Sequence, residues 1–148
     1  MKVREIMTAG VVTVDADTEV REVAALMRDR NVGSVVVLDP DGVPVGMVTD
    51  RDLTVRVLAD ERRGSEPISA HLSQPLVTGE PEMPLEEAAA VMVQHSVRRL
   101  PVVDHDELVG IVTLDDIAVR TGDLEVAQRM THEVIEGAVP EFFFHERG

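Results

Sequence analysis

The sequence predicts an α+β chain of two similar units, each running strand, helix, strand, strand, helix, packed sheet to sheet about a pseudo-twofold axis. One further helix is expected near the carboxy-terminal end. Three observations predict this. The first is an internal repeat at an offset of about 65 residues, in which Val12, Thr13, Ala24, Ala25, Met27, Val37, Asp39, Gly46, Thr49 and Asp52 recur as Val77, Thr78, Ala89, Ala90, Met92, Val102, Asp104, Gly110, Thr113 and Asp116. The second is a hydrophobic period that changes from helical to extended in the same order in both copies. The third is size: a repeat of this length buries too little surface to be secure alone, so the two sheets are expected to share a core.

In chain order, a short turn of helix is expected at residues 3–7 and again at 68–72, leading into strands at 11–14 and 76–78. A helix follows in each copy. Its buried face is read from Val20, Val23, Ala24 and Met27 in one and from Leu85, Ala88, Ala89 and Met92 in the other. Pro84, followed by Glu86 and Glu87, reads as the first helical position of the second of these. Two strands come next, 34–38 and 43–49, joined across Asp39, Pro40, Asp41 and Gly42; their counterparts are 100–103 and 108–113 around His105 and Asp106. The runs Val35–Leu38 and Leu100–Val103 are apolar without alternation, as strands buried on both faces are. A last helix starts at Asp50 or at Leu114. The polar stretch 59–67 is the expected linker, which divides the chain into 1–62, 63–122 and a tail of 123–148.

Composition narrows the function classes. With no cysteine, disulfides, thiolate nucleophiles and cysteine-ligated zinc are excluded. A net charge of −14 opposes binding to nucleic acid and to anionic membranes. No apolar run approaches the length of a membrane span and no signal-peptide pattern is visible, so the expected location is the cytoplasm. The basic residues are all arginine apart from Lys2, and arginine suits bidentate recognition of phosphate, so an anionic small ligand at a local arginine cluster stays open. The five histidines show no close metal-motif spacing, and no catalytic constellation is found.

The strongest local signal is Gly46-Met47-Val48-Thr49-Asp50-Arg51-Asp52, matched by Gly110-Ile111-Val112-Thr113-Leu114-Asp115-Asp116. Each places a hydroxyl and a carboxylate three residues apart where a strand hands over to a helix. One reading is a capping box that satisfies orphan backbone donors. The other is a ligand site, in which the aspartate accepts hydrogen bonds from vicinal ribose hydroxyls and the glycine lets the ligand approach the backbone. Duplication alone does not separate them.

These motifs, with the preceding Arg98-Arg99-Leu100-Pro101-Val102-Val103-Asp104, closely resemble tandem CBS domains, the regulatory module of cystathionine β-synthase type, over residues 2–121. The resemblance implies two βαββα CBS repeats with clefts that bind an adenosine nucleotide such as AMP, ADP or ATP, or S-adenosylmethionine. Asp52 and Asp116 would hold ribose diols, and Thr49 and Thr113 would contact ribose or phosphate. One cleft would combine Thr113 and Asp116 with Thr8 and Thr13, the other Thr49 and Asp52 with Ser73 and Thr78. Arg98 and Arg99 stand at positions that often hold phosphate in that family, where the first repeat has Gly33 and Ser34. Unequal sites are therefore expected, with the first relying on Arg51. The resemblance further implies a homodimer, a separate effector protein, no required cofactor and no catalysis.

Two rival readings stay in view. A structural or interaction module would use both Thr and Asp pairs only as caps, and a nucleotide hydrolase would turn over ATP. Phe142, Phe143 and Phe144 form the only aromatic cluster, beyond a helix expected at 123–135 with Leu124, Ala127, Met130 and Val134 on one face. That cluster is either a flexible end or a docking element.

Overall fold

The computed structural model describes residues 1–73 and 76–121 of the chain, so the helix expected at 123–135 and the Phe142, Phe143 and Phe144 cluster lie outside the described residues. The fold is α+β, with the expected element order in the first repeat and, apart from its first strand, in the second. It forms two compact units. One holds Gly10–Leu76 with His105–Leu108; the other holds Met1–Ala9, Val77–Asp104 and the described residues from Val109 onward. These units cut across the linear division, because each repeat's lead-in segment packs with the core of the other repeat.

In the first-repeat unit, β1 (Thr13–Asp15) runs parallel to β2 (Ser34–Leu38), and β2 pairs antiparallel with β3 (Pro44–Thr49). The sheet order is β1-β2-β3, and Ser73 adds an isolated antiparallel bridge to Met47 at the outer edge. Val35, Val36 and Val37 are all buried, as their unbroken apolar run requires of a central strand. The turn after β2 is held by Asp39, whose carboxylate accepts from the backbone N–H groups of Asp41 and Val43 at 2.9 Å each, while Gly42 supplies φ +81°.

Helix α1 (Val20–Arg30) buries Val20, Val23 and Met27 against this sheet. Ala24, expected in the same stripe, is exposed instead. Partly buried Leu26 packs on the core from the opposite side of the stripe and turns the helix face away from Ala24. No side chain caps α1. Its first donors are met by the linker: Val20 N–H donates to Glu66 O and Arg21 N–H to Gly64 O, both at 2.9 Å. Just beyond, the short 3-10 turn Ile68–His71 inserts Ile68, fully buried, into the same core.

The second repeat follows a similar plan with α3 (Leu85–Gln94), β4 (Arg99–Asp104), β5 (Glu107–Thr113) and α4 (Leu114–Thr121). All four expected residues of the α3 stripe, Leu85, Ala88, Ala89 and Met92, are buried. Pro84 is the N-cap, one position before its expected place, and Leu85 N–H donates to Met1 O at 3.1 Å. The 3-10 turn Val3–Glu5 buries Val3 in this core, as Ile68 is buried in the other. His105 and Asp106, both at positive φ, make the tight turn between β4 and β5.

The strand expected at 76–78 is reduced to one parallel bridge, Gly79 to Val102. Proline explains the loss. In the first repeat Val36 N–H donates to Val12 O at 3.1 Å, whereas Pro101 stands at the matching place and has no N–H to offer. The helices after β3 and β5 also differ. Asp50–Asp52 (α2) continues as a π-helical stretch, Leu53–Leu58, while α4 is regular. In the former, Thr54 Oγ1 donates back to Asp50 O at 3.0 Å, and β-branched Thr54, Val55 and Val57 crowd the turn, both of which loosen the regular ladder.

The linker carries a charged staple. Glu66 accepts from Arg62 Nη2 at 2.8 Å and from Arg63 N–H at 3.1 Å, and lies 3.2 Å from Nε2 of buried His71. The Arg62 hydrogen bonds, then the Arg63 N–H, hold the Glu66 carboxyl down at about 2 against an ordinary 4.5. A lowered carboxylate adds stability that is fully present above its unfolded value and disappears as pH falls through its folded value. Wild type is therefore expected to lose stability between about pH 4.5 and 2 that Glu66→Gln has already lost at neutral pH. Unfolding curves of the two proteins at pH 6 and pH 3 check this; equal differences at both pH values would exclude it.

Candidate functional site

Each β-to-helix corner is closed by the same pair of hydrogen bonds. Thr49 Oγ1 accepts from Asp52 N–H at 3.2 Å, and Asp52 Oδ2 accepts from Thr49 N–H at 2.8 Å. At the second corner Thr113 Oγ1 accepts from Asp116 N–H and Asp116 Oδ2 from Thr113 N–H, both at 3.0 Å. The capping-box reading is thus physically realised in both copies. It does not use up the carboxylates, since each box needs only one oxygen.

The strands set up these corners through their glycines. A Cβ at Gly46 would stand 2.8 Å from Leu72 Cδ1 and 3.0 Å from Leu72 Cβ; one at Gly110 would stand 2.8 Å from Met7 Sδ and 3.1 Å from Thr8 O. The space over each glycine is filled by the lead-in segment of the same unit, which corrects the expectation that the glycine admits a ligand to the backbone. Close approach of Thr8 allows two backbone hydrogen bonds with Ile111, at 2.9 and 3.0 Å, and Ser73 N–H donates to Met47 O at 3.0 Å. Gly110→Val is expected to cost about 1–3 kcal/mol by forcing Met7 and Thr8 off the sheet. Thermal unfolding measures it, and a fully stable variant would show that the segment is free to move aside.

Around the shared core of the motif the corners differ. Asp52 Oδ2 also accepts from Ser73 Oγ at 2.9 Å, and its Oδ1 lies 3.9 Å from Arg56 Nε. Arg56 in turn donates through Nη1 to Leu72 O at 2.8 Å. The sequence reading omits Arg56, although its i, i+4 spacing from Asp52 is the signal that points to it. Among the described residues Asp116 accepts from Thr113 N–H alone, with no counterpart of the Ser73 hydroxyl or of the Arg56 cation.

The first unit therefore brings together Thr49, Asp52 and Ser73, and the second brings together Thr113 and Asp116, with Thr8 bonded to Ile111 two residues before Thr113. Thr13, exposed at the start of β1, belongs to the unit of Asp52, and exposed Thr78 to the unit of Asp116. Neither unit by itself assembles the whole expected set. Arg51 is exposed beside Asp52. Arg98 and Arg99 are exposed at the start of β4, and the Arg98 carbonyl accepts from Leu114 N–H at 3.2 Å, which joins the start of β4 to the start of α4. The Arg98 guanidinium lies 3.4 Å from Asp115 Oδ1 in a largely exposed pair. Such a pair contributes little and yields readily to a competing anion.

Among the described residues no group of three or more His, Asp or Glu side chains is placed to hold a metal ion, and His132 and His145 lie outside them. No described helix is long and apolar enough to cross a membrane.

The sequence profile of the CBS domain matches residues 3–59 and 68–120. The CBS domain-containing protein YhcV of Bacillus subtilis is 47% identical over 117 residues, 79% of this chain and 83% of its own. The CBS domain protein PAE2072 from Pyrobaculum aerophilum, solved in complex with AMP, superposes with a TM-score of 0.75 at 28% identity, covering 86% of this chain and 99% of its own. The CBS domain pair of protein MJ0100, solved with 5′-methylthioadenosine and S-adenosyl-L-methionine, gives 0.73 at 25% identity over 82% and 96%. With one profile match in each repeat, both spanning a Thr and Asp corner, the chain belongs to the CBS domain family as a pair of CBS domains.

Proposed function

We propose that this CBS pair is a non-enzymatic sensor that binds an adenosine nucleotide or derivative, AMP, ADP, ATP or S-adenosylmethionine, at its Thr and Asp corners. The observation that carries the reading is the half-buried carboxylate of Asp116, one oxygen of which accepts no hydrogen bond among the described residues, next in sequence to Asp115, the ion-pair partner of Arg98. A vicinal diol has two O–H donors and no other strong feature, and an ionised carboxylate with a free oxygen is its natural complement. Thr113 stands beside it, and the two arginines supply the charge that a phosphate needs in a strongly acidic chain. The AMP, methylthioadenosine and S-adenosylmethionine complexes of the structural relatives support the ligand class.

Binding shifts a conformational equilibrium only by its differential affinity for the states involved. The expected output is a homodimer surface changed by occupancy and read by a separate effector protein. The complete capping boxes favour a second reading, an interaction module with no small ligand. Thermal unfolding with each of the four ligands separates the two. A ligand at 100 times its Kd adds about 2.7 kcal/mol, enough to raise the midpoint by several degrees. Unchanged midpoints with all four would leave the interaction module standing.

A further inference from the structure

The two corners share one sequence motif but not one state. At the first, Asp52 Oδ2 accepts from the Ser73 hydroxyl at 2.9 Å as well as from Thr49 N–H, while Oδ1 accepts no hydrogen bond among the described residues and has Arg56 Nε at 3.9 Å. The segment that delivers Ser73 is itself fastened, through Ser73 N–H to Met47 O at 3.0 Å, Arg56 to Leu72 O at 2.8 Å, and the Leu72 side chain over Gly46. The Asp52 side chain retains only 13% of its exposure. At the second corner Thr8 matches Ser73 and Arg120 matches Arg56. Thr8 is exposed and bonds only through its backbone, and Arg120 is exposed with no ion pair among the described residues.

We propose that Ser73, backed by Arg56, is an internal competitor for the Asp52 carboxylate, so that the Asp116 corner fills first and the Asp52 corner admits a ligand only when the segment carrying Ser73 lets go. The chemistry is substitution. A ribose diol binds a carboxylate by donating O–H bonds, and the Ser73 O–H already makes one of that kind to Asp52. A diol that takes both oxygens must exchange the Ser73 bond at Oδ2 for its own and crowd Arg56 at Oδ1, whereas at Asp116 no side-chain hydroxyl among the described residues stands on either oxygen. Intramolecular supply of the serine raises its effective concentration far above that of a free ligand. The second site thereby responds to the position of the lead-in segment as well as to ligand concentration.

This inference rests on the sensor reading above, and its test tells the two apart. Calorimetric titration of the full chain with AMP and S-adenosylmethionine is run on wild type, Ser73→Ala, Arg56→Gln, Asp116→Ala and the Asp116→Ala/Ser73→Ala double variant, each first shown to be folded. Wild type is expected to bind one equivalent tightly. In Ser73→Ala a second equivalent should gain about tenfold in affinity, the value of one hydrogen bond to a charged group. The double variant should recover binding lost in Asp116→Ala, and a further Asp52→Ala change should remove it again. Arg56→Gln should move the second equivalent in the same direction, by a smaller factor, although it deletes a cation. If wild type binds but neither Ser73→Ala nor Arg56→Gln alters the second equivalent, the competitor is disproved and the sensor stands. If Asp52→Ala rather than Asp116→Ala abolishes tight binding, the order of filling is reversed and the proposal falls. No binding by any variant overturns both.

Discussion

Ile68→Ala is expected to destabilise the first-repeat unit by about 2–5 kcal/mol, the usual cost of emptying a fully buried isoleucine site. Ile68 has no exposed surface and packs with Val20, Val23, Val35, Val48 and Val57. By position it follows the linker and leads into the second repeat, so a chain folded as two separate linear repeats would barely notice its loss. The backbone around it is fixed as well: Ile68 N–H donates to Thr18 O at 2.8 Å and Ser69 N–H to Ala16 O at 3.0 Å. The site therefore cannot collapse easily around the missing atoms, which places the cost toward the upper part of that range. Urea unfolding of wild type and variant measures it. A change below about 0.5 kcal/mol, the size of an ordinary surface substitution, would show that the lead-in does not belong to this core.

Asp116→Ala is expected to weaken adenosine-ligand binding by about 100-fold or more, since two hydrogen bonds to a charged acceptor are lost and each contributes about 1.5–3 kcal/mol. Folding should suffer far less. The variant also loses the side chain that accepts Thr113 N–H, and such a capping contact is worth roughly 1 kcal/mol. The two effects separate in Asp116→Asn, which keeps an oxygen for the cap but not the charge that holds the diol. That variant should be close to wild type in stability and still poor in binding. Titration with AMP alongside thermal unfolding gives both numbers. Binding retained in Asp116→Ala would mean that the carboxylate serves only the cap.

The element order apart from the second repeat's first strand, the buried β2 run, the α3 stripe and both Thr and Asp corners were legible in the sequence. Each follows from short-range rules: hydrophobic period, turn chemistry, and a capping pair three residues apart. Duplication strengthened every one of them, because a pattern seen twice at a fixed offset is hard to produce by accident. The strand expected at 76–78 was misread, because Pro101 shows in the sequence but only the ladder register reveals which bond that proline deletes.

Tertiary structure alone decided what fills the space around these local features. Which segment lies over Gly46 or Gly110, which backbone caps α1 and α3, and which core receives Ile68 or Val3 all depend on the folded path of a lead-in distant in sequence. The same holds for the difference between Asp52 and Asp116. Their local sequences nearly match, and only the placement of Ser73 and Arg56 gives Asp52 a side-chain hydroxyl on one oxygen and a cation near the other, where Asp116 has neither among the described residues. Local sequence sets the groups a site offers because backbone geometry and capping act over three or four residues. Whether those groups are available is set by packing, which joins residues with no fixed relation along the chain.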